Sequence, residues 1–364
     1  MLAHAHRIRR LVWMLPAVLA LVAAESPSVI YTCQGPEIPL PQTCGTLRNP
    51  RIYCLMPSDV EGGLRQPNRN VRQRAADLYA WQSFIALQWP TTENGYAAAS
   101  LTAPEPRRWE TWKETSEVFR EQGGEPVAPT PWGQHDPMPA ACGGAEKLLV
   151  RDEKVDDLVE ASVQPTYADG TLPGTLTDQA SQKVRYEIRM NQVAFDYVVE
   201  HRLWSGRMQN DVTQVRFPDQ SQIVKAAWRK VEGAAADRFI TTRACVCEGG
   251  MGGRLTDCHV QTMGLVGFHV MSRAPSAPQW IWSTFEQVDN VAGAHPSFRN
   301  PLCPDCKDNR QLPAGRPNQV TRVIPIPSAD PDCNNFGQAV DNVVQLNSSG
   351  KPWASRARSS RGTS

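Results

Sequence analysis

No charge of either sign dominates this chain: 38 lysines and arginines stand against 37 aspartates and glutamates. A near-neutral protein carries no large basic field, which argues against nucleic acid or an anionic membrane as its main partner. Several catalytic signatures are also missing. There is no Gly-x-Ser-x-Gly elbow, no His-Glu-x-x-His pair and no glycine-rich loop opening a helix. A hydrolase nucleophile, a zincin centre and a nucleotide phosphate site therefore have no support in the sequence. Beyond residue 24 no apolar run reaches the length of a membrane span, about 20 residues. There is no internal repeat either, which sets aside solenoids and propellers.

What is present begins at the N-terminus. Arg7, Arg9 and Arg10 form a basic start, Leu11 to Ala24 is apolar, and Val22-Ala23-Ala24 offers small residues for cleavage. This is the layout of a secretory signal peptide over 1–24, so the expected location is secreted or periplasmic, with no membrane contact after cleavage. Cys33 lies too far downstream to serve as a lipid-anchor site. Arg9-Arg10 raises twin-arginine export, although the flanking residues fit an ordinary basic leader better. Ten cysteines, an even number, in an oxidising compartment imply structural disulfides.

Residues 25–69, rich in Pro, Gly and Asn and holding Cys33, Cys44 and Cys54, are expected to form an irregular arm tied down by disulfides. Asn70 to Trp89 predicts a helix capped by Asn70 and stopped by Pro90, with Ala75, Leu78, Tyr79, Trp81 and Phe84 on a broad apolar face. Trp109, Trp112, Ser116 and Phe119 recur at helical spacing and predict a second helix over 107–121. Residues 146–162 combine a short apolar piece, Leu148–Val150, with a charged helical pattern. Val184, Tyr186, Ile188 and Met190 alternate with Lys183, Arg185, Glu187 and Arg189, the pattern of a half-buried strand. Asn191 caps a further helix through Trp204. Strands are expected at 222–231, 238–247, 260–272 and 279–290, the apolar run Gly264–Met271 being central. The expected fold class is α+β. An antiparallel sheet from the C-terminal half is packed by N-terminal and central helices and stabilised by disulfides, within a single domain over 70–345 followed by a disordered tail, 346–364.

The strings Val184-Arg-Tyr-Glu-Ile-Arg-Met-Asn191, Lys225-Ala-Ala-Trp-Arg229 and Trp280-Ile-Trp-Ser-Thr-Phe-Glu-Gln-Val-Asp-Asn290 together resemble a family of uncharacterised exported bacterial proteins. Trp81-Gln-Ser-Phe-Ile-Ala-Leu-Gln-Trp-Pro90 and Trp109-Glu-Thr-Trp112 fit the same group. The resemblance covers about two-thirds of the chain. Some members carry a cytochrome c label, which would imply an extracytoplasmic electron-transfer role with a cytochrome partner. Covalent haem c needs Cys-x-x-Cys-His, and here Cys303-Pro-Asp-Cys306 is followed by Lys307. No haem c, and no other cofactor, is expected on this polypeptide.

Four constellations could carry function. Pairing 272 with 279 in a hairpin places His269 opposite Trp282, on one face with Thr284 and Glu286. His269 and Glu286 are then acid/base candidates, with Trp282 as an apolar wall and Asp289 and Asn290 beside them. A histidine in an apolar strand can equally be a buried side chain with one satisfied hydrogen bond. Glu187, Arg189 and Lys225 share polar strand faces and could hold an anionic ligand at the edge of that site, or could form a cross-strand ion pair. Eleven tryptophans suggest stacking on saccharide rings. Trp132, beside Gly133 and His135 in a loop, is the ligand-contact candidate there, whereas Trp81, Trp109 and Trp112 sit at core spacing. Zinc held by Cys258, His259, Cys303 and Cys306 would have unorthodox spacing, so no metal is expected. Cys245 and Cys247 fall on one side of a strand and should pair outward rather than with each other. The leading expectation is an exported small-ligand protein, an enzyme if His269 and Glu286 move protons. The alternatives are a polysaccharide-binding module and a cytochrome accessory protein.

Overall fold

The computed structural model describes residues 54–299, apart from 61, 63, 66–68, 93–94, 99–102, 153–175, 211, 249–254 and 292–295. All of them lie in the unit Cys33–Ser364. The expected leader, most of the arm, the helical pattern at 153–162, Cys303, Cys306, Cys333 and the C-terminal tail fall outside the described residues.

Helix α1 spans Arg69–Gln88, within one residue of the expected bounds. Short strands follow: β1 (Lys113–Glu114), β2 (Arg120–Gln122), β3 (Glu125–Val127), β4 (Lys147–Leu149), β5 (Thr177–Asp178) and β6 (Arg185–Met190). Helix α2 (Gln192–Glu200) and the single turn α3 (Gly206–Gln209) lead into β7 (Gln222–Lys230), β8 (Thr241–Glu248), β9 (Thr256–Ala274), β10 (Ala277–Glu286) and β11 (Phe298–Arg299). Asn191 caps α2 as expected, its side chain accepting from the Ala194 amide at 3.1 Å. That helix stops at Glu200 rather than at Trp204.

One seven-stranded sheet runs β1-β6-β7-β9-β8-β4, with β10 also paired to β9. The 19-residue β9 organises it. Strand β7 follows one edge of β9, while the other edge takes β8 along 256–264 and β10 along 267–274. The sheet curls until Arg151, two residues beyond β4, reaches β6: the Tyr186 amide donates to the Arg151 carbonyl at 2.8 Å. Strands β6, β7, β9, β8 and β4 thereby surround a shared interior.

The sheet is mixed, not purely antiparallel, because β4 runs parallel to β8. Three residues are too short for a strand signal in the sequence, and the parallel direction is set by neighbouring contacts. Cys142 is bonded to Cys245, and the Glu146 amide donates to the Arg243 carbonyl at 2.7 Å. The expected helix over 107–121 is also corrected. The segment makes two 3-10 turns, Arg108–Thr111 and Thr115–Glu117, with β1 between them. Trp109 and Trp112 are buried as their spacing suggested, but the chain is extended at Trp112 and pairs with the open edge of β6. There the Glu114 carboxylate accepts from the Ile188 amide at 3.2 Å. An unpaired strand edge outweighs a modest helical propensity.

The main core lies inside the curl. Leu78, Trp81, Phe84, Ile85 and Leu87 of α1 pack on Val224, Ala226, Phe268 and Val270 of the inner face, with Phe84 and Phe285 rings 4.4 Å apart. Full burial of each large apolar side chain contributes about 1.5–3 kcal/mol. Helix α2 covers the outer face instead, setting Ala194, Phe195 and Val198 against Met190 and Ile223.

Gly264 lies where β7, β8 and β9 come together, paired with both Arg229 and Thr241. A β-carbon there would stand 2.8 Å from Phe239 Cγ and 2.9 Å from Val231 Cγ1. Gly264→Ala is expected to destabilise by about 1–3 kcal/mol through overpacking. The urea midpoint checks this, and an unchanged midpoint would mean that Phe239 moves aside at no cost.

Candidate functional site

The structure separates residues that the alternation in the sequence had grouped. Glu187 and Arg189 of β6 pair with Ala226 and Val224 and point into the interior. Lys225 pairs with Ile188 and lies on the outer face, its Nζ 5.4 Å from the Tyr186 ring centroid. The expected grouping of Glu187, Arg189 and Lys225 at one ligand edge is thus corrected: parity puts Lys225 on the opposite side of the sheet. The polar residues of β6 are the ones facing in. Both faces of this strand are covered, because the apolar set packs against the elements outside the curl.

Inside, alternating charges form a chain. Arg107 meets Glu110 at 3.4 Å, Glu110 meets Lys147 at 3.1 Å, Lys147 meets Glu187 at 2.9 Å, and Glu187 meets Arg189 at 2.8 Å. Lys147 Nζ also lies between two indoles, 4.6 Å from the Trp109 centroid and 4.7 Å from that of Trp228. Trp228 Nε1 donates to Glu187 at 2.8 Å. Arg189 donates onward to the Trp112 carbonyl at 2.7 Å and the Glu110 carbonyl at 3.1 Å. Burial by itself would raise the Glu187 pKa, but the charges and hydrogen bonds of Lys147 and Arg189 hold it below the ordinary glutamate value. Glu187 is 1% exposed and both its oxygens are engaged, so it is an anchor and not an available base. Lys147, Glu110 and the Trp109–Trp228 pair were not foreseen. The hint was a lysine heading a short apolar strand and a glutamate set within Trp109-Glu-Thr-Trp112.

A second carboxylate is held nearby. Glu117 accepts from the Asp136 amide at 2.8 Å and the Glu114 amide at 3.0 Å, and meets His135 Nδ1 at 3.0 Å. Burial alone would raise its pKa, but these partners bring it down to about 2.

On the outer face, His269, Thr284, Trp282, Glu286 and Lys225 share one side of β7, β9 and β10. The hairpin begins in the expected register, with Ala277 opposite Ala274. An irregularity between Ala277 and Ile281 then advances β10 by two residues. His269 therefore lies opposite Thr284, not Trp282, and its Nδ1 is 2.9 Å from Thr284 Oγ1. A shift of two preserves facing, so the histidine, indole and carboxylate remain on one side. Trp282 is 69% exposed. It continues a line of rings across this face: Tyr197 to Phe217 at 4.7 Å, then Phe217 to Trp280 at 5.5 Å, with Trp280 two residues before Trp282 on β10.

The remaining candidates lie elsewhere. Asp289 is buried and accepts from Arg238 Nε at 2.8 Å and Nη2 at 2.5 Å. Asn290 Nδ2 donates at 2.7 Å to the carbonyl of Val266, the extra residue of the β9 bulge opposite Ala227 and Trp228. These two hold the end of the hairpin. Trp132 is half-buried, 5.6 Å from the Phe195 ring, and packs against two core clusters instead of projecting from its loop. An open cleft of about 690 Å³ lies along Gln182, Lys230, Glu232, His259, Gln261 and Thr262, and none of the expected ligand residues lines it.

Outside the curl, Cys142 is bonded to Cys245 and Cys247 to Cys258. The two cysteines of β8 thus pair outward, as their shared side implied. Among the described residues no helix is long and apolar enough to cross a membrane. Comparison with protein-family models, with curated proteins and with solved structures finds no match to this chain.

Proposed function

We propose that this is an exported saccharide-binding protein whose ligand lies on the outer face of β7, β9 and β10. The observation that carries this reading is Trp282, a large indole left 69% exposed at the end of an aromatic line on an ordered sheet. Trp282 is exposed while Tyr197, Phe217 and Trp280 behind it are half-buried and support that face. An exposed indole beside polar groups can stack on a sugar ring, the ring's C–H face on the indole and its hydroxyls toward His269, Thr284 and Glu286. The near-neutral charge suits an uncharged ligand. A binding role is favoured over acid/base catalysis because Glu286 and Thr284 are exposed, and proton-transfer groups work best where water is excluded.

Trp282→Ala is expected to leave the fold intact and to weaken binding by at least about tenfold, the loss of one stacked ring. Affinity electrophoresis in gels containing soluble β-glucan, xylan or peptidoglycan fragments reads the change, with the melting temperature as the folding control. Equal retardation of wild type and variant in every gel would overturn the reading. If instead Glu286→Gln abolished turnover of a released product while Trp282→Ala left it unchanged, the enzyme reading would replace it.

A further inference from the structure

The four cysteines outside the curl form one cluster. Cys142 ends a 3-10 turn, Cys245 and Cys247 project from the same side of β8, and Cys258 projects from β9. Their four sulfur atoms all lie within 4.8 Å of one another, and Cys245 and Cys247, which are not bonded to each other, have sulfurs 3.9 Å apart. A tetrahedral thiolate site with metal–sulfur distances of about 2.3 Å has sulfur–sulfur edges of about 3.8 Å. The two bonded edges, 2.08 and 2.05 Å, would open on reduction, and no other edge exceeds 4.8 Å. The donors come from three separate backbone segments, which lets them close round a centre. Cys142, Cys245 and Cys247 are fully buried, and Ala145, Leu148, Val150 and Val260 pack around them. Cys258 is half-buried and provides the way in.

We propose that this cluster is a redox-gated site for a soft d10 cation, zinc above all: two disulfides when oxidised, a metal tetrathiolate when reduced. Each disulfide takes two electrons and two protons from a dithiol, which leaves as its own disulfide. The four thiols then bind one Zn²⁺ and release four protons. Exchange with two equivalents of an external disulfide reverses this: each is reduced to its dithiol, four protons are taken up, Cys142–Cys245 and Cys247–Cys258 re-form, and the ion is freed. An all-sulfur donor set surrounded by apolar side chains favours zinc or cadmium over magnesium or calcium, which require oxygen. Metal held before oxidation would also keep these four sulfurs together and away from the other six cysteines of the chain.

The test uses the full chain reduced anaerobically with a dithiol, desalted, and titrated with Co²⁺ and then Zn²⁺. The expected result is a thiolate-to-cobalt charge-transfer band that saturates at one equivalent and is bleached by zinc. Alkylation of the zinc-loaded chain followed by mass spectrometry should find Cys142, Cys245, Cys247 and Cys258 protected. This mapping uses the unaltered protein, so it does not depend on a cysteine variant folding. Cys303→Ser/Cys306→Ser should keep the band, and Cys247→Ser/Cys258→Ser should lose it. Failure to take up cobalt, or protection falling on other cysteines, would overturn the proposal.

Discussion

Glu187→Gln is expected to destabilise the protein by about 3–5 kcal/mol, because it leaves Lys147 and Arg189 buried opposite an uncharged amide. In a domain of this size that corresponds to a fall of roughly 10 °C in melting temperature. The carboxylate lies between Lys147 and Arg189 in an alternating chain that runs from Arg107 to Arg189, with the Lys147 ammonium beside two indoles. The cost therefore comes from stranding the cations, not from losing the intrinsic worth of the pair. A double-mutant cycle separates the two. Adding Lys147→Met to Glu187→Gln should cost less than the sum of the single changes, since the second substitution removes a charge that the first stranded. Additive losses would show that the contacts act independently. The same group sets an acid limit. Its folded pKa is depressed, so its stabilisation is fully present above the unfolded value of about 4.3 and is lost as pH falls through the lower folded value. Equilibrium unfolding followed from pH 7 downward should show stability constant to about pH 5 and then decreasing. In Glu187→Gln that slope should be shallower.

Removing the Cys142–Cys245 bond by paired alanine substitutions should cost about 4.7 kcal/mol, against roughly 3 kcal/mol for Cys247–Cys258. The sequence separations are 103 and 11 residues, and the longer loop recovers more freedom in the unfolded chain once the bond is gone. The longer link also holds β4 beside β8, and with it Lys147 in the interior. Denaturant midpoints of the two paired variants give the comparison. A larger loss from the short loop would place the stabilisation in native contacts rather than in loop closure.

Much of the local structure could be read directly. Helix α1 emerges where an apolar face is stopped by Pro90, although it starts at Arg69 and so takes Asn70 into its first turn rather than using it as a cap. The strands of the C-terminal half emerge from period-two alternation or continuous apolar character. That His269, Trp282 and Glu286 share one side was also legible, although their partners were not. The irregularity in β10 moves the register by two residues, which changes the neighbour but not the side. The segment 107–121 failed because Trp109 and Trp112 are buried on a single 3-10 turn and its C-terminal cap, whose three-residue spacing mimics a helical stripe before the chain extends into β1.

Sequence alone determined which residues alternate, where the chain turns, and that Cys245 and Cys247 lie on a common side. Tertiary structure decided which side of the alternation is inside. Period two is symmetric with respect to the two faces of a strand. Covering both faces of β6, with its apolar residues packed outside, and curling the sheet around Lys147 placed charge in the interior and left an indole on the surface. That choice depends on Trp109, Lys147 and Trp228, residues remote in sequence that meet only when the Arg151–Tyr186 bridge closes the curl.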